Sequence, residues 1–300
     1  SFITDGAIKS NSNVPIATRN LTLKAGTGIG GILPVCISLS GNGVLNAETL
    51  SGDINIKETL GKLLLGKVTT ASGNVKLESK TGIFAENAGT SLIKGNTIEL
   101  LTAYGPIQGS EASSATLLRI DTGDGDGTGL IAKAASNINI EETAGSLRVI
   151  SVTSGSGTDF ADVTLKVSDG SLTNPNKGTY KGNAELTGFW NSNISGALTA
   201  AKIAAFLEQA QLKRITDTSF MTFVPNITGR NITLNVMQNV GDTDEITINF
   251  VGGVAQLSDE LIVTLTAAEY GEASFYDGAN NKVDPTASGA NVAYLKINVP

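Results

Sequence analysis

The chain has 300 residues with 35 glycines and a single tryptophan, so its core has to be built from small aliphatic side chains set between frequent turns. Its net charge is −7 and its basic residues are scattered singly, which excludes the positive patch that nucleic acids and anionic membranes require. Histidine is absent and no apolar run reaches about 18 residues, so we expect no histidine-ligated zinc, no Ser-His-Asp chemistry and no membrane span.

A long-period repeat organises the first part of the chain. Residues 53–63 recur as residues 137–147, with a Glu-Thr pair and a glycine in register. A second family begins at Asn20 and returns at Thr97 and Asn231. These similarities indicate more than two copies of a module of about 76 to 88 residues, and each module must hold several coils, since one β-helical turn needs on the order of 20 to 30 residues.

Within the modules, apolar residues alternate strictly with polar ones. The pattern is clear from Ile54, Val75, Ile98, Ile138 and Val163 onwards, and glycine, asparagine, aspartate or serine bounds each stretch. Such alternation predicts short strands with one buried face. Antiparallel sandwiches alternate as well, but the long repeat without Asn-Gly hairpin spacing favours coils that stack in parallel. We therefore predict an all-β fold, a right-handed parallel β-helix (β-solenoid) with two short helical insertions.

Two glutamates, Glu58 and Glu142, occupy equivalent positions in the repeat and raise the question of a carboxylate pair of the glycosidase kind. A catalytic acid with a raised pKa needs a unique environment, whereas a glutamate that recurs in each copy serves a turn or a stacked ladder. We therefore predict no catalytic residues, and we expect that the chain is not an enzyme.

The sharpest polar cluster lies in residues 121–129, where Asp121, Asp124 and Asp126 alternate with glycines. Calcium takes about six to eight oxygen ligands, and glycine lets backbone carbonyls turn inward, so these aspartates form a candidate calcium site. The loop lacks the distal glutamate of an EF-hand and occurs once rather than as an array. Aspartate and glycine also make tight turns, so a solvated loop is the alternative, and no other cofactor is expected.

Two segments in the last third break the strand pattern. Residues 195–214 and 258–270 place apolar side chains at helical spacing after serine caps. Each predicts an amphipathic helix that covers a side or an end of the solenoid, or presents a face to a partner. We therefore divide the chain into residues 1–194, the parallel β-helix repeats, and residues 195–300, a helix-punctuated continuation of the β-helix or a small separate β-rich unit.

Three stretches carry a resemblance to a known family. They read DINIKETLGKLLLGKVTTASGNVKLESKTGIFAEN, NTIELLTAYGPIQG and NINIEETAGSLRVISVTS. They resemble the repeat region of giant bacterial filamentous-haemagglutinin-like surface proteins and adhesins, over most of residues 1–175 and more weakly over 195–300. The resemblance implies a β-solenoid on an exported protein that serves adhesion, cell-cell contact or an extracellular layer. It supplies no set of active residues.

The resulting expectation is a non-catalytic extracellular structural or adhesive β-solenoid segment of a large bacterial surface or filament-forming protein, secreted or held at the cell surface. Its expected partners are identical or flanking repeat chains and, as a second class, surface glycans. The alternative is a polysaccharide-binding or polysaccharide-cleaving β-helix. That alternative requires one groove with convergent polar side chains, and Phe189 with Trp190 is the densest aromatic pair for stacking on a sugar.

Overall fold

All the elements in the described part of the chain are β-strands. The two predicted helices, residues 195–214 and 258–270, lie outside the described residues. None of the described residues belongs to a helix that is long and apolar enough to cross a membrane. The computed structural model describes residues 1–125, 127–156, 159–175, 226–238 and 240, and strand backbones at 246–250, 272–276, 282–283 and 294–298.

The strands are short, as the alternating pattern predicts, and they are numbered here in chain order. The first fourteen are β1 (Phe2–Thr4), β2 (Ala7–Ile8), β3 (Ile16–Thr18), β4 (Leu21–Ala25), β5 (Gly28–Ile29), β6 (Val35–Leu39), β7 (Val44–Thr49), β8 (Ile54–Glu58), β9 (Leu63–Thr70), β10 (Val75–Ser79), β11 (Ile83–Ala85), β12 (Leu92–Gly95), β13 (Thr97–Thr102) and β14 (Ile107–Gln108). The others are β15 (Leu118–Thr122), β16 (Gly129–Ala134), β17 (Ile138–Glu142), β18 (Leu147–Ser156), β19 (Asp159–Phe160), β20 (Val163–Val167), β21 (Leu172–Thr173), β22 (Ile227–Gly229), β23 (Ile232–Val236), β24 (Ile246–Phe250), β25 (Glu272–Tyr276), β26 (Lys282–Val283) and β27 (Tyr294–Asn298).

These strands form two sheets whose neighbours come from successive circuits of the chain, and each circuit is called a coil below. Sheet A runs β1, β4, β7, β9, β11, β14, β17, β20 and β23. β12 and β15 belong to the same sheet and lie in the same coils as β11 and β14, respectively. Sheet B runs β2, β5, β8, β10, β13, β16, β18, β22 and β24. β3 and β6 belong to the same sheet and lie in the same coils as β2 and β5, respectively. Strands from successive coils pair in parallel along both rows. The predicted parallel β-solenoid is therefore confirmed.

The coils differ in length while the strands stay in register. Leu130 pairs with Val149, 19 residues later, whereas Ile98 pairs with Leu130, 32 residues later. Much of the difference lies in exposed loops that split a strand into two halves and leave both halves paired. Within the residues that the structure describes in full, four such loops occupy residues 9–15, 30–34, 86–91 and 109–117.

The core consists of aliphatic side chains stacked in rows from coil to coil. In sheet A, Leu21 pairs with Leu45, which pairs with Leu65, and each is at most 2% exposed. In sheet B, Ile56 and Leu77 form an equivalent row at 0% exposure. Each such side chain stabilises the fold by roughly 1.5–3 kcal/mol through removal from water. Stacking of like residues explains why so few aromatic residues are needed.

The structure repeats once per coil. Segments that match each other in the longer sequence module lie in different sheets of the solenoid. β8 lies in sheet B, whereas β17, its counterpart in the sequence, lies in sheet A. The second family is divided in the same way, since β4 and β23 lie in sheet A and β13 lies in sheet B. Both sheets impose the same alternation and the same need to close a corner. One local sequence therefore fits either face.

Beyond residue 226, the described strands extend both sheets before the parallel order ends. Val163 of β20 pairs with Ile232 of β23, and Val152 of β18 pairs with Ile227 of β22. β24 continues sheet B in parallel, and β27 then joins it antiparallel and pairs with β25 in the same manner. β22, β23 and β24 thus continue the parallel order, and the division of the chain at residue 194 stays a prediction.

Side-chain oxygens at the starts of strands connect one coil to the next. Asp53 Oδ1 accepts the backbone N–H of Asn74 at 2.7 Å, and Asn74 Oδ1 accepts that of Thr97 at 3.1 Å. Asn20 Oδ1 accepts the N–H of Val44 at 3.0 Å in the same manner. Short Asx side chains thus satisfy donors that the sheet ladder leaves open at the corners.

At the corner after β7, the carbonyl of Gly52 joins two coils. It accepts the hydroxyls of Thr49 at 3.2 Å and Thr70 at 2.9 Å, while the N–H of Gly52 donates to Ser72 at 2.8 Å. Gly52 has a φ of +77°, and a Cβ atom there would lie 2.1 Å from the carbonyl oxygen of Thr27. Glycine is therefore required for conformation and for space.

We expect Gly52→Ala to lower the free energy of unfolding by about 3 kcal/mol, because the new methyl group meets backbone that cannot move aside. Gly61→Ala is the matched control, since a Cβ atom added there would meet no other atom within 4 Å and the φ of Gly61 is ordinary. Its expected effect is below roughly 0.5 kcal/mol. Urea denaturation of both variants measures the difference, and equal midpoints would contradict the assignment.

Candidate functional site

Glu58 ends β8 and turns its side chain into the solenoid, where it is 1% exposed. Its Oε2 accepts the backbone N–H of Leu39 on the preceding coil at 2.8 Å, and its Oε1 accepts that of Gly61 at 3.1 Å. Thr59 donates its N–H and its hydroxyl to the carbonyl of Ile37 at 3.0 and 3.2 Å. The Glu-Thr pair therefore fastens the end of β8 to the end of β6.

Glu142 ends β17 and repeats this arrangement on the other sheet, with 0% of its surface exposed. Thr122 donates its N–H to Oε1 at 3.1 Å and its hydroxyl to Oε2 at 2.7 Å. Thr143 donates its N–H and its hydroxyl to the carbonyl of Ile120, each at 2.9 Å. The predicted role of the repeated glutamate in a turn is confirmed by these contacts.

The electrostatic surroundings of the Glu142 carboxyl group favour its neutral form. Burial raises the pKa of Glu142 to about 8, and the negative charge of Asp121 adds to the rise. Hydrogen bonds from Thr122 and from the N–H of Ala144 favour the charged form and offset only part of it. Glu142 is therefore mostly protonated at neutral pH, and it can act as both a donor and an acceptor at its corner.

Glu58 and Glu142 do not form a pair. Glu58 lies opposite Ile37 in sheet B, and Glu142 lies opposite Ile120 and Val167 in sheet A. Each side chain faces the interior, and its carboxyl oxygens accept hydrogen bonds at its own corner. Carboxylates that act on a glycosidic bond flank one substrate at a separation of roughly 5–10 Å and must reach it. The arrangement is suited to bonding corners.

The three aspartates of the candidate calcium loop are held in different ways. Asp121 lies in β15 and forms an ion pair with Lys94 on the neighbouring strand β12. Asp124 Oδ1 accepts the N–H of Ser146 at 3.4 Å, and Asp126 lies outside the described residues. Across the part of the chain that the structure describes, no group of three or more histidine, cysteine, aspartate and glutamate side chains is placed to hold a metal ion. The calcium site stays a prediction.

Opposite charges face each other on neighbouring coils along the outer surfaces of both sheets. Such exposed pairs contribute little stability each, about 0–1 kcal/mol, but they favour one register over its neighbours. Among the described residues, these pairs include Lys94–Asp121, Lys24–Glu48 at 2.8 Å and Lys166–Glu141 at 2.6 Å on sheet A, and Lys57–Glu78 and Lys76–Glu99 at 2.9 Å on sheet B.

A groove of about 570 Å³ opens on the outer face of sheet A. Its floor is formed by β4, β7 and β9, and one side is formed by Leu92, which begins β12 directly after the loop of residues 86–91. Most of the side chains along the groove are polar. They are Thr22, Lys24, Asn46, Glu48, Lys67 and Thr69.

Two exposed lysines, Lys24 and Lys67, line this groove. Lys24 is paired with Glu48, whereas no carboxylate of the described residues forms a salt bridge with Lys67. The backbone N–H of Lys67 donates to Asn46 Oδ1 at 3.0 Å, in a β-bulge where Gly66 leaves room for the asparagine. Ammonium and hydroxyl donors beside a carboxylate suit a ligand rich in oxygen atoms.

The groove could not be recognised before the strands were aligned, because its polar residues come from three separate coils. The signal was limited to the outward positions of β4, β7 and β9, which are polar on most strands of any solenoid. Phe189 and Trp190, the predicted stacking pair, lie outside the described residues. Comparison with family models, with curated proteins and with solved structures finds no match to this chain.

The raised pKa of Glu142 gives the fold a specific pH dependence. The carboxyl binds its proton more tightly in the folded chain than at its ordinary pKa of 4.5, so stability falls as the pH rises from about 4.5 to about 8. We expect Glu142→Gln to remove this loss, at up to about 1.4 kcal/mol per pH unit. Glu58→Gln is the matched control and should keep the loss. Urea unfolding across this pH range measures it, and parallel curves for Glu142→Gln and wild type would contradict the assignment.

The calcium hypothesis has a direct test in thermal melting with calcium and with a chelator. Because Lys94 and Ser146 already engage Asp121 and Asp124, we expect the Tm of the wild-type chain to stay unchanged on addition of calcium. A rise in Tm that disappears when Asp121, Asp124 and Asp126 are all replaced by asparagine would instead establish the site.

Proposed function

We propose that this chain is a non-catalytic structural or adhesive segment of a large exported bacterial surface or filament-forming protein, coiled as a right-handed β-solenoid. Right-handed coiling is the general rule for connections between parallel strands. The proposal rests on the contacts that the polar side chains make between coils. The Asx side chains at strand starts, the buried Glu58 and Glu142, and the outer ion pairs all join one coil to the next.

A stack joined in this way is suited to spacing and display. Each coil is bonded to its neighbours through backbone ladders, apolar rows and corner contacts, so the stability adds along the stack as in other repeat proteins. The resemblance of residues 53–87 and 137–154 to haemagglutinin-like repeats supports a position that is secreted or at the cell surface. Identical or flanking repeat chains are then the natural partners.

A second candidate function is polysaccharide binding, and the groove on sheet A favours it. Thr22, Asn46 and Thr69 offer hydrogen-bonding groups on strands at regular spacing, and Lys67 adds a cation without an acidic partner among the described residues. A sugar chain presents hydroxyls at a regular interval, so a periodic polar floor is chemically suited to it. Glycan binding would make the segment adhesive rather than purely structural.

The proposal is tested by incubating the purified chain with acidic and neutral polysaccharides and measuring retention and the release of soluble fragments. We expect no release, since the buried carboxyl groups cannot reach a substrate. Retention that Lys67→Gln lowers at least tenfold, but Lys133→Gln on sheet B leaves unchanged, would assign the adhesive role to the groove. Release of fragments would overturn the non-catalytic proposal.

A further inference from the structure

Lys62 lies between an asparagine and a glutamate at the corner that joins sheet B to sheet A. Its Nζ donates to Asn42 Oδ1 at 3.0 Å and forms an ion pair with Glu111 Oε2. The side chain of Lys62 is 22% exposed, and that of Glu111 is 59% exposed. An amine, a carboxamide and a carboxylate are therefore in contact at one point on the surface of the solenoid.

The register of the solenoid produces this contact. Val44 pairs with Leu64, so Asn42 and Lys62, each two residues earlier, lie side by side on successive coils. Asn42 occupies a tight turn between two glycines, which leaves its carboxamide open to approach.

Glu111 comes from a different part of the chain. It belongs to the loop of residues 109–117, which splits the sheet A strand two coils further on and reaches back to Lys62. The N–H of Gly109 donates to the carbonyl of Thr116 at 2.7 Å and closes the base of this loop. The loop therefore brings a carboxylate to a pair of side chains that the coil register has already aligned.

We propose that Lys62 and Asn42 form an intramolecular isopeptide bond, with Glu111 as the group that transfers the proton. Glu111 takes a proton from the Lys62 ammonium, and the free amine attacks Cγ of Asn42. The bond between Cγ and Nδ2 breaks, and Nδ2 takes one proton from the attacking nitrogen and one from Glu111 and leaves as ammonium. One amide is exchanged for another and the Glu111 carboxylate is restored, so no oxidant, reductant or second reactant is needed.

The geometry supplies what this reaction needs. A nucleophile held beside its target and next to a base reacts at a high effective concentration, and slow steps then proceed without an enzyme. Lys62 is largely covered by the chain, which restricts its ammonium group to this contact with Asn42 and Glu111. The product would tie two successive coils covalently, as a disulfide ties two segments, in a chain whose single cysteine cannot do so. This inference concerns the chain itself and does not depend on the proposed function.

Intact-mass spectrometry tests the proposal on the purified chain, fresh and after storage at mildly alkaline pH. We expect a mass lower than the sequence mass by one ammonia, and a proteolytic peptide in which the segment holding Asn42 is joined to the segment holding Lys62. An unmodified mass and no joined peptide after prolonged storage would overturn the proposal.

Variants separate the isopeptide from a succinimide at the Asn42-Gly43 step, which also releases one ammonia. Lys62→Arg keeps the charge and removes the nucleophile, so we expect it to retain the full mass, while Lys80→Arg is the control and should lose ammonia as the wild type does. Asn42→Asp should lose water in place of ammonia, and Glu111→Gln should slow the reaction at least tenfold. Loss of ammonia that persists in Lys62→Arg would assign it to the succinimide and overturn the proposal.

Discussion

Each circuit of the chain has to carry polar backbone through its corners, where donors and acceptors cannot be left buried without partners. Polar side chains meet this requirement at both ends of the strands. Asp53 and Asn74 accept N–H groups at strand starts, and Thr70 and Glu58 complete the bonds at strand ends. The aliphatic rows depend on these corners, because side chains stack only while successive coils turn at the same point.

The buried glutamates show how one residue type meets this requirement in two ways. Both occupy inward positions that aliphatic residues fill on adjoining strands, with Ile37 opposite Glu58 and Ile120 opposite Glu142. Glu58 accepts three backbone N–H groups, which compensate for its loss of water. Glu142 has its bonds chiefly from one residue, Thr122, and lies beside Asp121, so its neutral form is favoured. The corner has the same shape in both cases, but the donors that the two carboxyl groups bind differ.

The sequence predicts the individual strands and turns more directly than it predicts which coils lie side by side. Alternation from Ile54 onwards predicts strands because a two-residue period is enough to define a buried face. The turn role of Glu58 and Glu142 follows from their repetition, although the donors they bind become known only from the register. The groove beside Lys67 and the contact between Lys62 and Glu111 depend on which coils align, and loop lengths determine that alignment. Sequence periodicity gives no direct measure of it.

The four exposed loops split strands in the middle and leave both halves of each strand in place. Residues can therefore be added to a loop such as 109–117 without moving any inward row, whereas the same addition within β9 would displace every side chain that follows it in the strand. The loops that the solenoid exposes to its surroundings are therefore separate from the inward rows that stabilise it. Such loops are natural places for variation among related surfaces, and equally for grafting a foreign peptide at a fixed height along the stack.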